Sequence, residues 1–446
     1  MSSATGGRPG AAGLRAGLRL CALVLGAALA VSAGAAAAAD TPPERVRALV
    51  LQGDLTGARD VLLSWTPDTA EEAERRLWLL AVVYREAGQG PERLQVLEAL
   101  VARRPDVARF RLELADTLAD LGQRDRAGYH YEMARGGQLN PGQRARAAEG
   151  ATRMEAPQRW SGRFGIAVVP SSNPGRKTQE ETLDLGFGEA TLNEASRAQP
   201  ATGVEVQASG AYAHRFGPRT QGQIALHFNG SFFEDRDDND LLGLIETSLT
   251  TQLAPGALLR GALSYQERYL GGDIYSRGPG LGLDLVLRSG ARGRVTLGLS
   301  LTDLSFPHAP GADGLRRTLR ASYSHAASSA LTLRGSLRHE RVDAAVAEIA
   351  ATTQELGLGA SYAFRGGLIL DGDLAFRRTR RDGPHGLFGV VQEDHRQTLS
   401  LRLRHAEVNW KGFAPYVELR AERQRSNIAI YGYHAEDVTL GLTRRF

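Results

Sequence analysis

The stretch Thr398-Leu-Ser-Leu-Arg-Leu-Arg404 alternates between polar and apolar side chains at every step. Successive side chains of a β-strand point to opposite faces, so the three leucines share one face and the two arginines share the other. The same alternation recurs at 417–422 and 437–443. These segments therefore predict a sheet with one apolar face and one charged face.

A soluble β-sandwich also alternates, but three features of residues 157–446 favour a transmembrane β-barrel. The strands are about a dozen residues long, whereas strands of soluble sheets have about five or six. Short turns alternate with longer loops, as in outer-membrane barrels, where the short turns are periplasmic. Aromatic residues lie near strand ends, namely Phe216, Phe364, Trp410 and Phe413. We therefore expect an outer-membrane β-barrel domain here.

Turn and loop lengths allow the strands to be counted. The short turns are 217–219, 254–256, 290–292, 327–328, 366–367 and 410–412, and the longer loops are 234–240, 271–276, 306–314, 342–352, 382–395 and 426–434. Thirteen strands fit between residues 203 and 446. Single-chain bacterial barrels have even strand numbers, and a periplasmic N-terminal domain requires one more upward strand. We therefore predict fourteen antiparallel strands, with the first at 160–168 in preference to 183–191.

Charged side chains occupy the face of two late strands that points away from the apolar residues. The candidate lumen-lining residues on this face are Arg402, Arg404, Glu418, Arg420 and Glu422. An equally acceptable interpretation is that these residues fill and tighten the barrel interior. Both interpretations place the side chains inside the barrel.

The last strand carries a second candidate site. Val438, Leu440 and Leu442 share its apolar face, and the chain ends on Phe446. A terminal aromatic residue on an alternating strand resembles the signal that the barrel-assembly machinery reads. Arg444 interrupts the apolar face, but its long stem can snorkel to the membrane interface.

Residues 1–39 have the order of a secretory signal peptide, with arginines first, then an apolar run at 20–31, then small residues. The apolar run is too short to span a bilayer as a helix, which argues against a retained anchor. Cys21 stands at the start of this run, whereas a lipid-attachment cysteine would end it. The mature protein would therefore contain no cysteine and no disulfide.

Residues 40–156 have apolar side chains three and four residues apart, a spacing that predicts amphipathic helices. Leu80, Ala81, Ala87 and Gly88 recur as Leu114, Ala115, Leu121 and Gly122. The shift of 34 residues is the period of the tetratricopeptide repeat. About three repeats fit, so we predict an all-α tetratricopeptide-like solenoid with a partial first repeat at 44–63 and a closing helix at 142–154.

A solenoid of this kind presents a concave face to a peptide or protein, although a rigid spacer without a ligand is the alternative. We expect the arginines at 103, 104, 109 and 111 to form a solvated helix face. The chain is thus divided into a signal peptide at 1–39, a periplasmic helical domain at 40–156 and a barrel domain at 157–446.

Charge and motifs argue against several classes of function. The formal net charge is +4, but removing 1–39 leaves 51 basic and 50 acidic residues, which argues against nucleic-acid binding. The sequence lacks a phosphate-binding loop and a paired-cysteine motif, so we expect no cofactor.

Ser324-His325 and His339-Glu340 are sequence neighbours on strands and face opposite sides, which argues against an enzyme. The acidic loop 234–240 lacks the spacing of a calcium site, so we predict a solvated hairpin tip.

Several stretches of the chain resemble a known family, the surface lipoprotein assembly modifiers. They are Gly165-Ile-Ala-Val-Val-Pro-Ser-Ser-Asn173, Tyr269-Leu-Gly-Gly-Asp-Ile-Tyr-Ser276, Gly412-Phe-Ala-Pro-Tyr416, Ser426-Asn-Ile-Ala-Ile-Tyr431 and Gly441-Leu-Thr-Arg-Arg-Phe446. Pro174 departs from the pattern, where an apolar residue is expected. The resemblance implies a fourteen-stranded barrel behind a tetratricopeptide domain, with that domain in the periplasm.

The same resemblance implies a role in moving specific lipoproteins or soluble ligand-binding proteins across the outer membrane. The expected partners are an exported client protein, the barrel-assembly machinery and outer-membrane lipid. The main rival function is that of an exopolysaccharide export porin with a periplasmic repeat domain, although such exporters usually have many more repeats. A passive porin, the third class, would not need the solenoid.

Overall fold

The computed structural model describes residues 41–155, 158–184, 188–406 and 408–445. The predicted signal peptide and Phe446 lie outside these residues. The chain divides between Leu100 and Val101 into two compact units, which are described separately. None of the described helices is long and apolar enough to cross a membrane. The predicted domain boundaries at 39/40 and 156/157 stay predictions.

The first unit is built from short amphipathic helices. They are α1 (Pro42–Gln52), α2 (Leu55–Ser64) and α3 (Ala70–Glu86), followed by α4 (Gly90–Arg103), which crosses the division. Asp54 begins α2 by accepting a hydrogen bond from the Gly57 N–H at 2.9 Å, which satisfies a main-chain donor of the first turn. Val46, Leu62 and Val83 are buried between α1, α2 and α3. The predicted apolar stripes therefore form the core of this unit.

The second unit begins with the remaining three of the seven helices in the described chain. They are α5 (Ala108–Asp120), α6 (Arg124–Arg135) and α7 (Pro141–Glu155). Gly122 separates α5 from α6 with a φ of 76°, a left-handed conformation that glycine adopts without strain. Tyr131 of α6 is 1% exposed, and its hydroxyl donates to Asp116 of α5 at 2.5 Å. The predicted all-α region and its closing helix are confirmed, whereas the tetratricopeptide assignment stays a prediction.

Arg111 corrects one expectation about the helices. Its side chain was predicted to be solvated, but the residue is only 1% exposed. Its Nε donates to the Pro105 carbonyl at 2.8 Å, and its Nη1 lies 3.3 Å from His130 Nδ1. The residue lies on the face of α5 that packs on α6, which a run of arginines in sequence does not reveal.

Fourteen antiparallel strands close into a barrel in chain order, with β1 pairing with both β4 and β16. The barrel strands are β1 (Trp160–Ser171), β4 (Ala201–Arg215), β5 (Thr220–Phe232), β6 (Asp240–Ala254), β7 (Ala257–Leu270), β8 (Asp273–Ser289), β9 (Gly293–Leu304), β10 (Gly314–Ala326), β11 (Leu331–Ala344), β12 (Ala351–Ala363), β13 (Leu368–Pro384), β14 (Val391–His405), β15 (Ala414–Ser426) and β16 (Tyr433–Arg445). β2 (Thr182–Asp184) and β3 (Glu189–Thr191) form a separate hairpin. The fourteen-stranded fold and the preferred first strand are confirmed.

The register fixes which side chains face outward. Leu401 lies opposite Leu419, which in turn lies opposite Val438, so all three share one face of the sheet. Their exposures of 37%, 51% and 39% place this face on the outside of the barrel. Neighbouring positions along each strand therefore face inward. The barrel is apolar outside and charged inside, as a membrane-spanning barrel requires.

One predicted loop is wrong. The connection between β7 and β8 was expected at 271–276, but only Gly271 and Gly272 separate the two strands. Their φ angles of 59° and 91° suit a two-residue hairpin turn, which needs left-handed backbone at both positions. The double glycine allows both strands to extend further than a loop of six residues would. We call the end of the barrel with turns such as 290–292 the short-turn end, and the opposite end the long-loop end.

Gly278 on β8 provides a test of this register. A Cβ atom at Gly278 would lie 1.7 Å from the Asp303 carbonyl oxygen of β9, whereas one at Gly282 would meet only the Ala262 Cβ at 3.6 Å. We expect Gly278→Ala to destabilise the barrel by more than the ~1–3 kcal/mol of ordinary overpacking, because main chain must move. Urea unfolding in detergent, with Gly282→Ala as the control, measures the difference. Equal stability of the two variants would contradict the register.

Candidate functional site: the barrel interior and its two ends

The interior between β13 and β15 is lined by paired charges. Arg402 on β14 lies opposite Glu418 on β15, and its Nε donates to Glu418 Oε2 at 2.6 Å. Arg404, two residues along the same face, lies 3.3 Å from Asp371 Oδ2 through its Nε. Each guanidinium therefore meets a carboxylate on a neighbouring strand. These contacts place the charges inside the barrel, while their role in lining a transport route stays a prediction.

Glu422 is the centre of the interior network. Its side chain is 3% exposed and accepts hydrogen bonds from Arg420 Nη2 at 2.8 Å and from the Tyr433 hydroxyl at 2.5 Å. Arg396 Nε and Arg176 Nε lie 3.6 and 3.8 Å from its Oε1. A buried carboxylate is costly unless it is paired and hydrogen-bonded, and this one has both kinds of partner. Glu422 therefore joins three strands and one loop.

The loop in this network is the connection from β1 to β4, residues 172–200, at the long-loop end. Arg176 has a φ of 52°, a left-handed conformation that is uncommon for residues other than glycine. In this conformation its Nη2 donates to Asp437 Oδ2 at 2.5 Å, and Asp437 is an inward-facing residue of β16. The first loop thus inserts a guanidinium among the interior carboxylates at the long-loop end.

Asn173 holds the start of this loop in place. The residue is 0% exposed, and its Nδ2 donates to the carbonyls of Lys177 at 2.7 Å and His434 at 3.1 Å. Its Oδ1 accepts from the Lys177 N–H at 2.9 Å, so both atoms of the amide are satisfied. Thr178 then donates to the Ala429 carbonyl at 3.3 Å. The segment 173–178, which begins at the end of the stretch 165–173, therefore contacts the segment 429–434, which overlaps the stretch 426–431.

Helices of the second unit cover part of the short-turn end. Thr152 of α7 accepts a hydrogen bond from Arg288 Nη2 at 2.8 Å. The Asp106 carbonyl, just before α5, accepts from the Ser329 hydroxyl at 2.5 Å. Gly136, after α6, lies so close to the rim that a Cβ there would be 2.2 Å from the Ser328 carbonyl oxygen. The helices thus contact the ends of strands from β8 to β11.

The contacts continue to strands on the far side of the rim. The Gly366 N–H, between β12 and β13, donates to the Ala102 carbonyl at 2.6 Å. The guanidinium of Arg404 lies 5.5 Å from the centre of the Tyr129 ring, a cation–π contact between β14 and α6. Arg445 of β16 completes the series, with Nη1 3.5 Å from Asp125 Oδ2. The covered rim therefore runs from β8 to β16.

The electrostatics of the helical cover differ from those of the interior. His130 of α6 is enclosed, and burial together with Arg111 and Arg126 nearby holds its pKa well below the ordinary value. A neutral imidazole offers one ring nitrogen as an acceptor, which suits the 3.3 Å approach of Arg111 Nη1 to His130 Nδ1. The contact between α5 and α6 therefore buries the Arg111 guanidinium beside a neutral imidazole.

The residues considered for catalysis and for metal binding, Ser324-His325 and the acidic loop 234–240, lie outside the interior network. Ser324 and His325 are consecutive on β10 and point to opposite faces, and His325 Nδ1 lies 3.3 Å from the Tyr323 hydroxyl instead. In the acidic loop, Asp238 pairs with Lys177 Nζ at 3.0 Å and Asp240 with Arg268 Nη2 at 2.6 Å. Among the described residues, no group of three His, Cys, Asp or Glu side chains is arranged to hold a metal ion.

Of the last-strand candidates, Val438, Leu440 and Leu442 face outward with exposures of 39%, 53% and 37%. The sequence analysis missed Arg176, because its contacts join residues about 250 positions apart. The stretch 165–173 was the available signal, since it ends on the buried Asn173 that positions the loop.

Comparisons with known proteins identify a family. Residues 160–446 match the family described as surface lipoprotein assembly modifier, which is more than half of the chain. No curated protein matches the chain significantly. The family match and the closed barrel place the protein in the outer membrane and support a role in the assembly of surface lipoproteins there. They also point to a non-enzymatic role.

Solved structures with similar barrels are distant in sequence. A Pseudomonas aeruginosa FadL homologue is 11% identical, with 65% of this chain and 90% of that chain covered and a TM-score of 0.37. An anion-selective porin from Comamonas acidovorans is 12% identical, with 64% and 98% covered and a TM-score of 0.38. The outer membrane channel DcaP of Acinetobacter baumannii is 10% identical, with 64% and 96% covered and a TM-score of 0.39. These likenesses are too weak to carry a functional argument.

Removal of Arg176 tests whether the first loop is held by the interior carboxylates. Truncating one partner of a buried ion pair costs ~3–5 kcal/mol, so Arg176→Ala releases the loop. We expect tryptic cleavage within 172–200 to rise at least about tenfold in intact outer membranes, where 1.4 kcal/mol corresponds to a factor of ten. Arg197→Ala is the matched control, because Arg197 pairs with Glu181 inside the same loop. Equal cleavage of both variants would contradict the docking of the loop.

Proposed function

We propose, from the premise that this chain belongs to the surface lipoprotein assembly modifier family, that it delivers specific client proteins from the periplasm to the cell surface. The clients are lipoproteins or secreted ligand-binding proteins. The helical domain receives a client, and the barrel interior provides its route. The protein acts as a translocator and not as an enzyme.

The observation that supports this proposal most directly is the position of α5, α6 and α7 on the short-turn end. In outer-membrane barrels the short turns face the periplasm, so a periplasmic client meets these helices before it meets the lumen. The contacts of Thr152 with Arg288 and of Asp106 with Ser329 join helices and rim through single hydrogen bonds. The neutral bond of Ser329 contributes ~0.5–1.5 kcal/mol and the bond from the charged Arg288 ~1.5–3 kcal/mol, so a bound client can displace them.

The lining of the interior suits passage of a polypeptide. Arg402 with Glu418 and Arg404 with Asp371 are ion pairs that remain partly exposed to the lumen. Exposed ion pairs contribute ~0–1 kcal/mol, so charged groups of a passing chain can exchange with them at little cost. The sequence holds no nucleotide-binding loop. Folding of the client outside the cell then supplies the direction of movement.

The remaining proposed partners act on the outside of the barrel. Val438, Leu440 and Leu442 form the apolar face of β16 that would present the assembly signal, together with the terminal Phe446. The barrel-assembly machinery would read this strand during biogenesis. Outer-membrane lipid would then cover the same face in the finished protein.

Deletion of the gene tests the proposed function. Intact cells of the deletion and parent strains are shaved with protease, and the released peptides and secreted proteins are compared by mass spectrometry. We expect one or a few surface or secreted proteins to be lost while other barrels are unchanged, which would also identify the client. An unchanged protein profile would contradict the proposal, and loss of a surface polysaccharide would favour the exopolysaccharide-export alternative.

Complementation with a rim variant tests the part played by the helices. Gly136→Ala drives a Cβ against the Ser328 carbonyl at 2.2 Å and so separates the helices from the rim, whereas Gly142→Ala meets only Asn140 Oδ1 at 3.6 Å. We expect Gly136→Ala to lower the amount of client on the surface at least about tenfold, with the barrel still folded. Full restoration by both variants would show that the helices need not rest on the rim.

A further inference from the structure

The outside of the barrel carries a depression on β8 to β14. Its volume is about 880 Å³, and outward-facing apolar side chains line most of it. Leu299, Leu319, Leu337, Leu356 and Phe376 form its apolar wall. Leu337 lies opposite Leu356, which lies opposite Phe376, so these side chains form a continuous row across three strands. The depression therefore offers apolar surface to the acyl-chain region of the membrane.

A polar row borders the apolar wall on the side of the long-loop end. His339, Gln354, Arg378 and His395 lie directly opposite one another across β11, β12, β13 and β14, and all four line the depression. Two residues further along the strands, Arg317, Arg341 and Arg380 occupy the same outward face. The two rows are about 7 Å apart, which is the repeat of side chains on one face of a strand.

The polar row lies closer to the short-turn end than the upper edge of the outward-facing apolar surface does on β5. His339 is eight residues from the start of β11 at Leu331, so it lies about 20 Å along the barrel axis at a tilt of ~40°. On β5, Phe232 still faces outward twelve residues from the start at Thr220, about 30 Å along the axis. The outward-facing His339 of β11 therefore lies about 10 Å nearer to the start of its strand than the outward-facing Phe232 of β5 does.

The outward face at this end has an excess of positive charge. On β8 to β14, the strands that carry the depression, its arginines are Arg277, Arg317, Arg341, Arg378 and Arg380, and its carboxylates are Asp303, Asp343, Asp382 and Glu393. Five arginines against four carboxylates leave one positive charge in excess. Glu393 holds Arg378 Nη2 at 2.7 Å, yet the arginine side chain remains 54% exposed. Glu393 thus orients the Arg378 guanidinium while more than half of that side chain stays exposed.

We propose that this depression binds one phosphorylated lipid of the outer leaflet. Its acyl chains would lie on the wall formed by Leu337, Leu356 and Phe376, and its phosphates would meet Arg378 and Arg380. Arginine binds phosphate with two parallel hydrogen bonds, which explains arginines at the height of the headgroups. Arg378 and Arg380 are exposed on this face, so a phosphate adds contacts to them that a lipid without phosphate cannot make. This site goes beyond the proposed export function and does not depend on it.

The test uses the full-length protein purified in detergent and native mass spectrometry with three probes. The probes are lipid A with two phosphates, its form with one phosphate, and a triacylated lipopeptide without phosphate. We expect one molecule of the two-phosphate lipid to stay bound per barrel, with about tenfold weaker binding of the one-phosphate form and no comparable retention of the lipopeptide. Equal binding of all three probes would overturn the proposal, and this comparison needs no variant.

Variants then assign the site. We expect Arg378→Ala combined with Arg380→Ala to weaken lipid A binding at least about tenfold. Arg277→Ala is the matched control, because Arg277 is an exposed, outward-facing arginine on β8 near the long-loop end, outside the depression. Its binding should equal that of the parent protein. Unchanged binding by the double variant, or an equal loss in the control, would overturn the assignment to this depression.

Discussion

Closure of the sheet is the constraint on which the rest of the structure depends. In lipid every main-chain N–H and C=O must find a partner within the protein, so the first strand must pair with the last. The register joins Ile166 to Leu442 and Val168 to Leu440, then skips two residues before Ser171 meets Asp437. Pro170, which has no N–H to donate, lies in this gap. Closure also decides which face of every strand is inside.

Side chains take over where the main-chain ladder is interrupted. The Ser171 hydroxyl donates to Asp437 Oδ1 at 2.6 Å, and Arg176 donates to the same carboxylate through Nη2 at 2.5 Å. The seam between β1 and β16, the first loop and the interior network are therefore one connected structure at the long-loop end. At the opposite end, separate hydrogen bonds attach the helices to the rim. The two ends of the barrel thus differ in their contacts: one holds a network of buried charge pairs, and the other has separate hydrogen bonds, a cation–π contact and an exposed ion pair.

The sequence predicts the barrel well for two reasons. Alternation is visible within each strand, and the strand number follows from the rule that it must be even. The leucines at 399, 401 and 403 fix the faces of β14, and an even strand number requires the extra strand at the start of the domain. Arg111 and Arg176 were not predicted, since their partners are chosen by packing between elements distant in the chain. The turn at Gly271 and Gly272 was assigned as a loop, although two consecutive glycines are a signal for a two-residue hairpin turn. The sequence predicts that the interior charges share the inward face of their strands. Which charge pairs with which across the strands follows only from the register.

The same register accounts for the charged side chains on both the inner and the outer face of the barrel. Arg377 and Arg378 are neighbours on β13, and one points to Glu355 in the interior while the other points to the membrane. An inward arginine joins the ion-paired lining, and the outward Arg378 pairs with Glu393 while its side chain stays 54% exposed. The proposed client route and the proposed lipid site therefore use alternate residues of the same strands.

The central claim, that the client passes through the barrel interior, is tested most directly by site-specific photo-crosslinking in cells that produce the client. A photoreactive residue is placed at Ser400 or Thr439, which face inward, and at Leu401 or Leu440, which face outward on the same strands. The account predicts client adducts from the inward pair and none from the outward pair. Adducts from the outward pair, or from the periplasmic helices alone while client still reaches the surface, would contradict it.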